Sequence, residues 1–303
     1  MNRIVQILGP TGVGKSEIAV IMAERFDGEI ISADSVQVYK GFNIGSSKIL
    51  ESEKAGIPHH MIDIFQPTEQ FNVNIFLNLS VEIITDINNR GKLPVVCGGT
   101  ALYLRAMING IFIESETKRI SRSRIEELCN EKGMEYLWNK LFNIDREYAE
   151  KIGKNDRKRI IRGLDIYYNN GIIPSNISNI TIPPFKGYEF IRIGLQLPRE
   201  QMYEMIDKRV DKMIKNGLME EVKELRRIYE RDCSPMASIG YKELNMVLDN
   251  EIGEKEAVEL IKQHSRNFAK RQMSWFRREN DITWFTPLDV SGINEFLKNK
   301  LNG

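Results

Sequence analysis

Ile4-Val5-Gln6-Ile7-Leu8-Gly9-Pro10-Thr11-Gly12-Val13-Gly14-Lys15-Ser16 runs from an apolar strand signal straight into a glycine-rich loop. The loop matches G-x-x-x-x-G-K-[ST] in the context that pattern needs, after a buried strand and before a helix. Gly9, Gly12 and Gly14 permit a tight turn, so the loop from Gly9 through Pro10, Thr11 and Val13 to Ser16 can converge its backbone N–H groups, all but Pro10 having one, on one anion. A helix opening near Lys15 adds the positive end of its dipole. Lys15 brings a full charge to the outer phosphate, and the Ser16 hydroxyl suits a magnesium ion. A turn that binds nothing needs neither the Lys-Ser pair nor this spacing. A diphosphate or triphosphate is therefore expected at residues 9–16, with Mg2+ held through Ser16.

Outward from the loop, strand signals at 3–8, 29–33, 60–64 and 93–97 alternate with helical stretches at 14–26 and 71–90 and with a helix from Gly98-Gly99-Thr100 to about Met107. This alternation predicts an α/β fold, a P-loop-type parallel sheet flanked by helices. Ligands in such sheets sit beyond the carboxyl ends of the strands, which brings the phosphate loop, Asp34-Ser35 and Gly99-Thr100 to one crevice. Proteins with this loop commonly hold magnesium with an Asp that ends a second apolar strand. Here Leu93-Pro94-Val95-Val96-Cys97 ends in Gly98-Gly99-Thr100, and only Ile30 to Asp34 and Met61-Ile62-Asp63 end in a carboxylate. That pattern argues against an ordinary ATPase or GTPase. Residues 120–169 are charged and helix-periodic, a Pro- and Asn-rich stretch follows from Ile173 to Pro184, and Tyr188 to Leu197 reads as a returning strand. A helical insertion domain over 114–183 is thus expected to interrupt a core of 1–113 and 184–303. Beyond Pro198 the chain reads as helix to Arg278, then a short strand from Asp281 to Phe285 and a last helix.

The 303 residues carry a net charge of +1, yet positive residues cluster from Lys118-Arg119 to Arg124, from Lys154 to Arg162 and from Lys262 to Arg278. Basic patches on a neutral chain suit a polyanion bound at a defined place, although most charge runs are solvated helix faces. In the third cluster Phe268, Trp275 and Phe276 are interleaved with Arg266, Lys270, Arg271, Arg277 and Arg278, a pattern that equally fits the buried stripe of an amphipathic helix. Cys97, Cys129 and Cys233 lie far apart, which excludes a zinc module and a disulfide framework and fits a reducing cytosol. The adjacent His59 and His60 point in different directions and read as loop histidines rather than metal ligands. No apolar run reaches membrane-spanning length, and Met1 leads directly into the first strand, so a soluble cytoplasmic protein is expected. With no heptad seam, a monomer is expected.

Taken together, several stretches resemble one family, the bacterial tRNA dimethylallyltransferases, or tRNA isopentenyltransferases. The resemblance rests on Gly9-Pro10-Thr11 through Lys15-Ser16, Ala33-Asp34-Ser35-Val36-Gln37-Val38-Tyr39, Ile44-Gly45 and Pro58-His59-His60. It continues through Gly98-Gly99-Thr100-Ala101-Leu102-Tyr103, Asn155-Asp156-Arg157-Lys158-Arg159, Ile239-Gly240-Tyr241-Lys242-Glu243, and Ala269-Lys270-Arg271-Gln272 to Trp275-Phe276-Arg277. Gly12-Val13 departs from the family's frequent Ala-Ser, Asn43 from an Asp, Asp145-Arg146 from Asp-Pro and Ser274 from Thr. None of these removes a group the chemistry needs.

The resemblance implies transfer of a dimethylallyl group from dimethylallyl diphosphate to N6 of the adenosine 3′ of the tRNA anticodon. The phosphate loop would then cradle a leaving group, with Lys15 and Mg2+ on Ser16 neutralising its charge. Asp34 is the expected general base, with magnesium ligation or helix capping as alternatives. Thr100 would touch the bridging oxygen or the magnesium shell, or simply cap its helix. Ser35, Val36 and Gln37, with Asp34 and Thr100, would face the tRNA adenine, and the resemblance adds Arg209 as a second diphosphate contact, otherwise a surface helix residue. A stacked anticodon-loop base must be extruded to react, so Arg122, Lys158, Arg159 and Arg162 in the insertion, with Lys270, Arg271 and Arg277 near the end, are expected on anticodon stem-loop phosphates. Competing readings are a P-loop kinase of a nucleotide or small metabolite, a non-catalytic RNA-binding protein, and a prenyltransferase acting on free adenine nucleotides.

Overall fold

Six parallel strands form one sheet in the order β3-β2-β4-β1-β5-β6. The computed structural model describes residues 2–112, 120 and 122–303. In chain order the strands are β1 (Arg3–Leu8), β2 (Gly28–Ala33), β3 (His59–His60), β4 (Leu93–Gly98), β5 (Glu189–Leu195) and β6 (Thr283–Phe285). The inner strands are buried on both faces, as their Val- and Ile-rich runs require. One face packs α1 (Lys15–Arg25) and α12 (Val290–Asn302), where Ile18, Met22, Ile293 and Leu297 meet Val5, Ile7, Val95 and Ile193. A second core lies among α8 (Arg199–Lys215), α9 (Leu218–Ile228), α10 (Tyr241–Leu248) and α11 (Glu254–Phe276), whose Val210, Val222, Leu244 and Ile261 enclose Val38, Tyr39 and Phe42.

The chain divides into two compact units, Met1–Ile108 with Pro184–Gly303, and Asn109–Pro183. The boundary expected after residue 113, and the Lys118-Arg119 pair, lie outside the described residues. The second unit holds α4 (Arg122–Ile144), α5 (Arg146–Ile152) and α6 (Arg157–Asn170) around Ile125, Leu137, Leu141, Ile160 and Leu164. Its sequence carries no strand signal, and no strand forms among its described residues. Gly133, at φ 83°, breaks α4 internally. Asp145 caps α5, accepting from the Tyr148 N–H, and its other oxygen accepts from Ser175 at 2.6 Å.

One expected element is shorter than its sequence suggested. The strand read over 60–64 is reduced to His59–His60, because Met61 (φ 62°) and Asp63 (φ 56°) turn into the left-handed region. The N–H groups of Asp63, Ile64 and Phe65 go instead to the Gln37 and Val38 carbonyls. Met61-Ile62-Asp63 is therefore not a strand ending in a carboxylate, and Asp63 pairs with Lys48.

At the opposite ends of the strands, Glu29 is buried under Arg90 and His60, with Nη2 of Arg90 and Nε2 of His60 at 2.9 and 2.8 Å. Arg90 foremost holds this carboxyl down to about 2 from 4.5, against the opposing effect of burial. A carboxyl depressed in the folded state stabilises it above the unfolded value and loses that contribution as pH falls. The urea midpoint is expected to drop between pH 4.5 and about 2, and Glu29→Gln to shrink that drop. An equal drop in the variant would remove Glu29 as its source.

Candidate active site

The sheet register brings three loops to one level. Leu8 pairs with Gly98, and Gly98 pairs with Ala33. The next residues, Gly9, Gly99 and Asp34, therefore leave three adjacent strands side by side, about 4.8 Å from one strand to the next. A side chain at 98 would put its Cβ 2.3 Å from the Ala33 carbonyl oxygen, so this crossing requires glycine. Gly9 (φ 151°) is likewise tight, with a Cβ there 2.6 Å from the Leu195 carbonyl oxygen.

Gly14, at φ 90°, opens α1 and leaves Lys15 and Ser16 in its first turn. Lys15 Nζ donates to the Pro10 carbonyl at 2.7 Å, across its own loop. Burial, and to a smaller extent the charge of Arg209, pushes the Lys15 ammonium down to about 8, while Asp34 acts in the opposite sense. The Ser16 hydroxyl is on an exposed residue. Arg209, on α8, is not a surface residue: Nη1 donates to Thr11 Oγ1 and Nε to Ser47 Oγ at 2.9 Å. Desolvation lowers its pKa and the Asp34 charge raises it. Two cations and one carboxylate thus share the crevice floor.

Asp34 adopts an Asx turn rather than a helix cap, since no helix starts there. Its Oδ1 accepts from the N–H groups of Val36 at 2.8 Å and Gln37 at 3.1 Å. Among the described residues no donor reaches Oδ2, which is the oxygen left to act on a ligand. Ser35 is exposed and Val36 half-buried. The Gln37 amide is engaged within the protein, accepting from Ser32 Oγ at 3.0 Å and donating to the Ser46 and Ser47 carbonyls at 3.2 and 3.3 Å. Thr100 precedes α3 (Ala101–Asn109), and its carbonyl accepts from Tyr103 and Leu104, which places it as that helix's first cap. It is half-buried beside Ala33, to whose carbonyl its N–H points at 3.4 Å.

Three supporting residues have no role assigned from the sequence. Gln272, on α11, accepts from the Thr11 N–H and donates to the Gly99 carbonyl, both at 2.8 Å. Glu221, on α9, accepts from the N–H groups of Asn43, Ile44 and Gly45 and from the Tyr241 hydroxyl at 2.6 Å. A Cβ at Gly45 would lie 2.4 Å from the Tyr241 ring. Ser47 braces Arg209. The only sequence signal was that Gly45, Tyr241 and Gln272 stand in motif stretches; nothing in their spacing pairs them.

The basic residues divide between the two units. In the second unit Arg122, Lys158 and Arg159 are exposed; Arg122 pairs with Glu126 at 3.2 Å and Arg159 with Asp156 at 3.5 Å. Exposed pairs of this kind are worth little. Arg162 differs, being half-buried and 3.5 Å from buried Asp165, which also accepts from Asn169. In the first unit Lys270, Arg271 and Arg277 are exposed at the end of α11, with the Arg271 guanidinium 5.8 Å from the Phe268 ring centre. Phe276 is core and Trp275 half-buried, so the buried-stripe reading holds for Phe276 and fails for Phe268. Among the described residues no group of three His, Cys, Asp or Glu could hold a metal ion. His60 serves Glu29, and His59 Nδ1 lies 2.8 Å from the Ile57 carbonyl oxygen. No described helix is long and apolar enough to cross a membrane.

Comparison with known proteins shows the family of the chain. A family model described as IPP transferase matches residues 37–279. The tRNA dimethylallyltransferase of Thermoanaerobacter sp. (strain X514) is 44% identical over 303 residues, covering 98% of this chain and 96% of that protein. That of Halalkalibacterium halodurans is 39% identical, over 99% and 98% of the two chains. Among solved structures, the full-length tRNA isopentenylpyrophosphate transferase of Bacillus halodurans superposes with a TM-score of 0.75 at 38% identity, over 100% and 97%. A eukaryotic dimethylallyltransferase acting on tRNA gives 0.84 at 29% identity, over 99% of this chain and 78% of that one.

Proposed function

The chain belongs to the IPP transferase family, and from that premise we propose that it is a tRNA dimethylallyltransferase. It moves a dimethylallyl group from dimethylallyl diphosphate to N6 of the adenosine 3′ of the anticodon and releases diphosphate. One observation carries the assignment of roles: the register that sets Gly9, Gly99 and Asp34 side by side. An anion-binding turn and a carboxylate then face one small space, as displacement of diphosphate by an amine requires.

In the proposed reaction the loop N–H groups, the α1 N-terminus and Lys15 hold the diphosphate. Arg209, braced by Thr11 and Ser47, adds a second cation. As N6 attacks, the N6–C1 bond forms and the C1–oxygen bond breaks, its electron pair staying on diphosphate. The N6 proton passes to Oδ2 of Asp34, whose other oxygen the Val36 and Gln37 N–H groups keep in place. Thr100, at the neighbouring strand end, would contact the bridging oxygen. Gln37, being occupied, supports the adenine side by shaping the 44–47 turn rather than by a free amide.

Magnesium fits the donors present. It keeps several waters and binds through one or two protein oxygens plus phosphate oxygens, and exposed Ser16 at the head of α1 offers one such oxygen. When bound it would neutralise charge on the departing diphosphate.

In the first unit Lys270, Arg271 and Arg277 would take anticodon stem-loop phosphates; in the second unit, taken by itself, Arg122, Lys158 and Arg159 are the candidates for tRNA phosphates, and Arg162, tied to Asp165, contributes less. Neutralising Lys270, Arg271 and Arg277 together is expected to weaken tRNA binding and to flatten the slope of log affinity against log salt by about 2–3. An unchanged slope removes these three from the interface. The decisive experiment is mass analysis of anticodon-loop nucleosides after incubating the protein with Mg2+, dimethylallyl diphosphate and unmodified tRNA, with AMP as the control acceptor. A dimethylallyl adduct on tRNA adenosine is expected. An adduct on AMP alone, or phosphoryl transfer from ATP with no adduct, overturns the proposal.

A further inference from the structure

We infer that Gln272 is a positioning residue: its amide sets the distance between the phosphate loop and the Gly99-Thr100 turn, and so between the two reactants. The inference rests on the function proposed above and adds to it a residue outside the loop and the strand ends.

Gln272 follows Lys270-Arg271 on α11, but its side chain turns inward and is 6% exposed. Oε1 accepts from the Thr11 N–H and Nε2 donates to the Gly99 carbonyl, each at 2.8 Å. Accepting at one atom and donating at the next is what a primary amide does; a carboxylate only accepts, and a thioether does neither usefully. Thr11 is thereby fixed twice, at its N–H by α11 and at its hydroxyl by Arg209 of α8. Gly99 is held through its carbonyl, and a Cβ there would lie 2.4 Å from Nε2. The loop and the turn leave neighbouring strands, and Gln272 bonds both. Without it the two lose this direct link above the sheet, and Thr11 keeps its contact with Arg209 alone. Misplacing reacting groups by about 1 Å costs roughly 10²-fold in rate.

Two variants test this. Gln272→Met keeps the volume and loses both bonds. It is expected to lower kcat by about 10- to 100-fold, with KM for tRNA within about threefold, and to weaken binding of inorganic diphosphate severalfold. Gln272→Glu gains a pH dependence that a purely structural role does not supply. Burial beside the Gly99 carbonyl raises the introduced carboxyl's pKa, and once protonated it can again accept from Thr11 and donate to Gly99. The ratio of its rate to the wild-type rate, taken pH by pH, is expected to rise at least about fivefold from pH 8 to pH 5.5. A kcat for Gln272→Met within about threefold of wild type, or a flat ratio for Gln272→Glu, overturns the inference. Should Gln272→Met not fold, the ratio decides alone. If the wild type transfers no prenyl group, the proposed function falls, and inorganic diphosphate affinity in wild type against Gln272→Met still decides the role of Gln272: unchanged affinity overturns it.

Discussion

Asp34→Asn is expected to lower kcat by about 10²–10⁴-fold while affinities for tRNA and inorganic diphosphate stay within about threefold of wild type. The substitution is chosen from the geometry. An amide oxygen in the place of Oδ1 still accepts from Val36 and Gln37, so the 34–37 turn persists. What disappears is the proton acceptor at Oδ2. Adenine N6 is a weak nucleophile, its lone pair being drawn into the ring, and it depends on losing its proton as the new bond forms. Asp34→Ala loses turnover as well, and also releases the turn. Single-turnover rates at saturating substrate, with diphosphate binding measured separately, distinguish the two. Turnover within a few-fold of wild type in Asp34→Asn would exclude Asp34 as the base.

The second large effect concerns Lys15. Lys15→Ala is expected to reduce kcat/KM for dimethylallyl diphosphate by about 10²–10³-fold, the scale on which a single well-placed group stabilising developing negative charge contributes. tRNA affinity is expected to be untouched. The wild-type profile carries a further signature. Desolvation brings the free enzyme's Lys15 to about 8. The ammonium attracts diphosphate only while protonated, so kcat/KM for the donor is expected to fall as pH rises above about 8. Because kcat/KM reports the free enzyme, bound diphosphate does not mask this limb. In Lys15→Arg the group stays charged throughout, and the limb disappears even if the rate is lower. A limb that persists in Lys15→Arg belongs to another group.

The parts of this molecule that sequence makes legible are those with short-range logic. An apolar run followed by Gly9 to Ser16 predicts strand, anion loop and helix together, and β1 and α1 stand where that pattern puts them. Short apolar runs alternating with helix-periodic stretches located β2, β4 and β5 within a residue or two at their ends. The failures have physical causes. Residues 60–64 look like a strand because their apolar content is right, but two left-handed residues redirect the chain, and left-handed φ at Met61 and Asp63 has no sequence signature comparable to glycine. Phe268 and Phe276 read alike in sequence, yet only Phe276 faces the core.

The site itself was half legible. Lys15, Asp34 and Thr100 follow from motif and topology. The braces do not: Ser47 under Arg209, Glu221 across residues 43–45, and Gln272 across Thr11 and Gly99 join residues far apart in the chain. No periodicity links such partners, and even Gln272, which stands in a motif stretch, carries no sign of what it joins. Their pairing emerges only in three dimensions, where Glu221 and Gln272 answer backbone groups of loops and Ser47 answers the Arg209 guanidinium.

Thr11 and Gln272 lie 261 positions apart. At about 5–20 residues per second, translation would place their syntheses roughly 13–50 s apart. For that interval the nascent polypeptide presents its anion-attracting turn with the brace still unmade, even if the early strands have paired. Competence therefore arrives late in biosynthesis, and a product stopped ahead of that helix would be inert whatever its sheet had achieved.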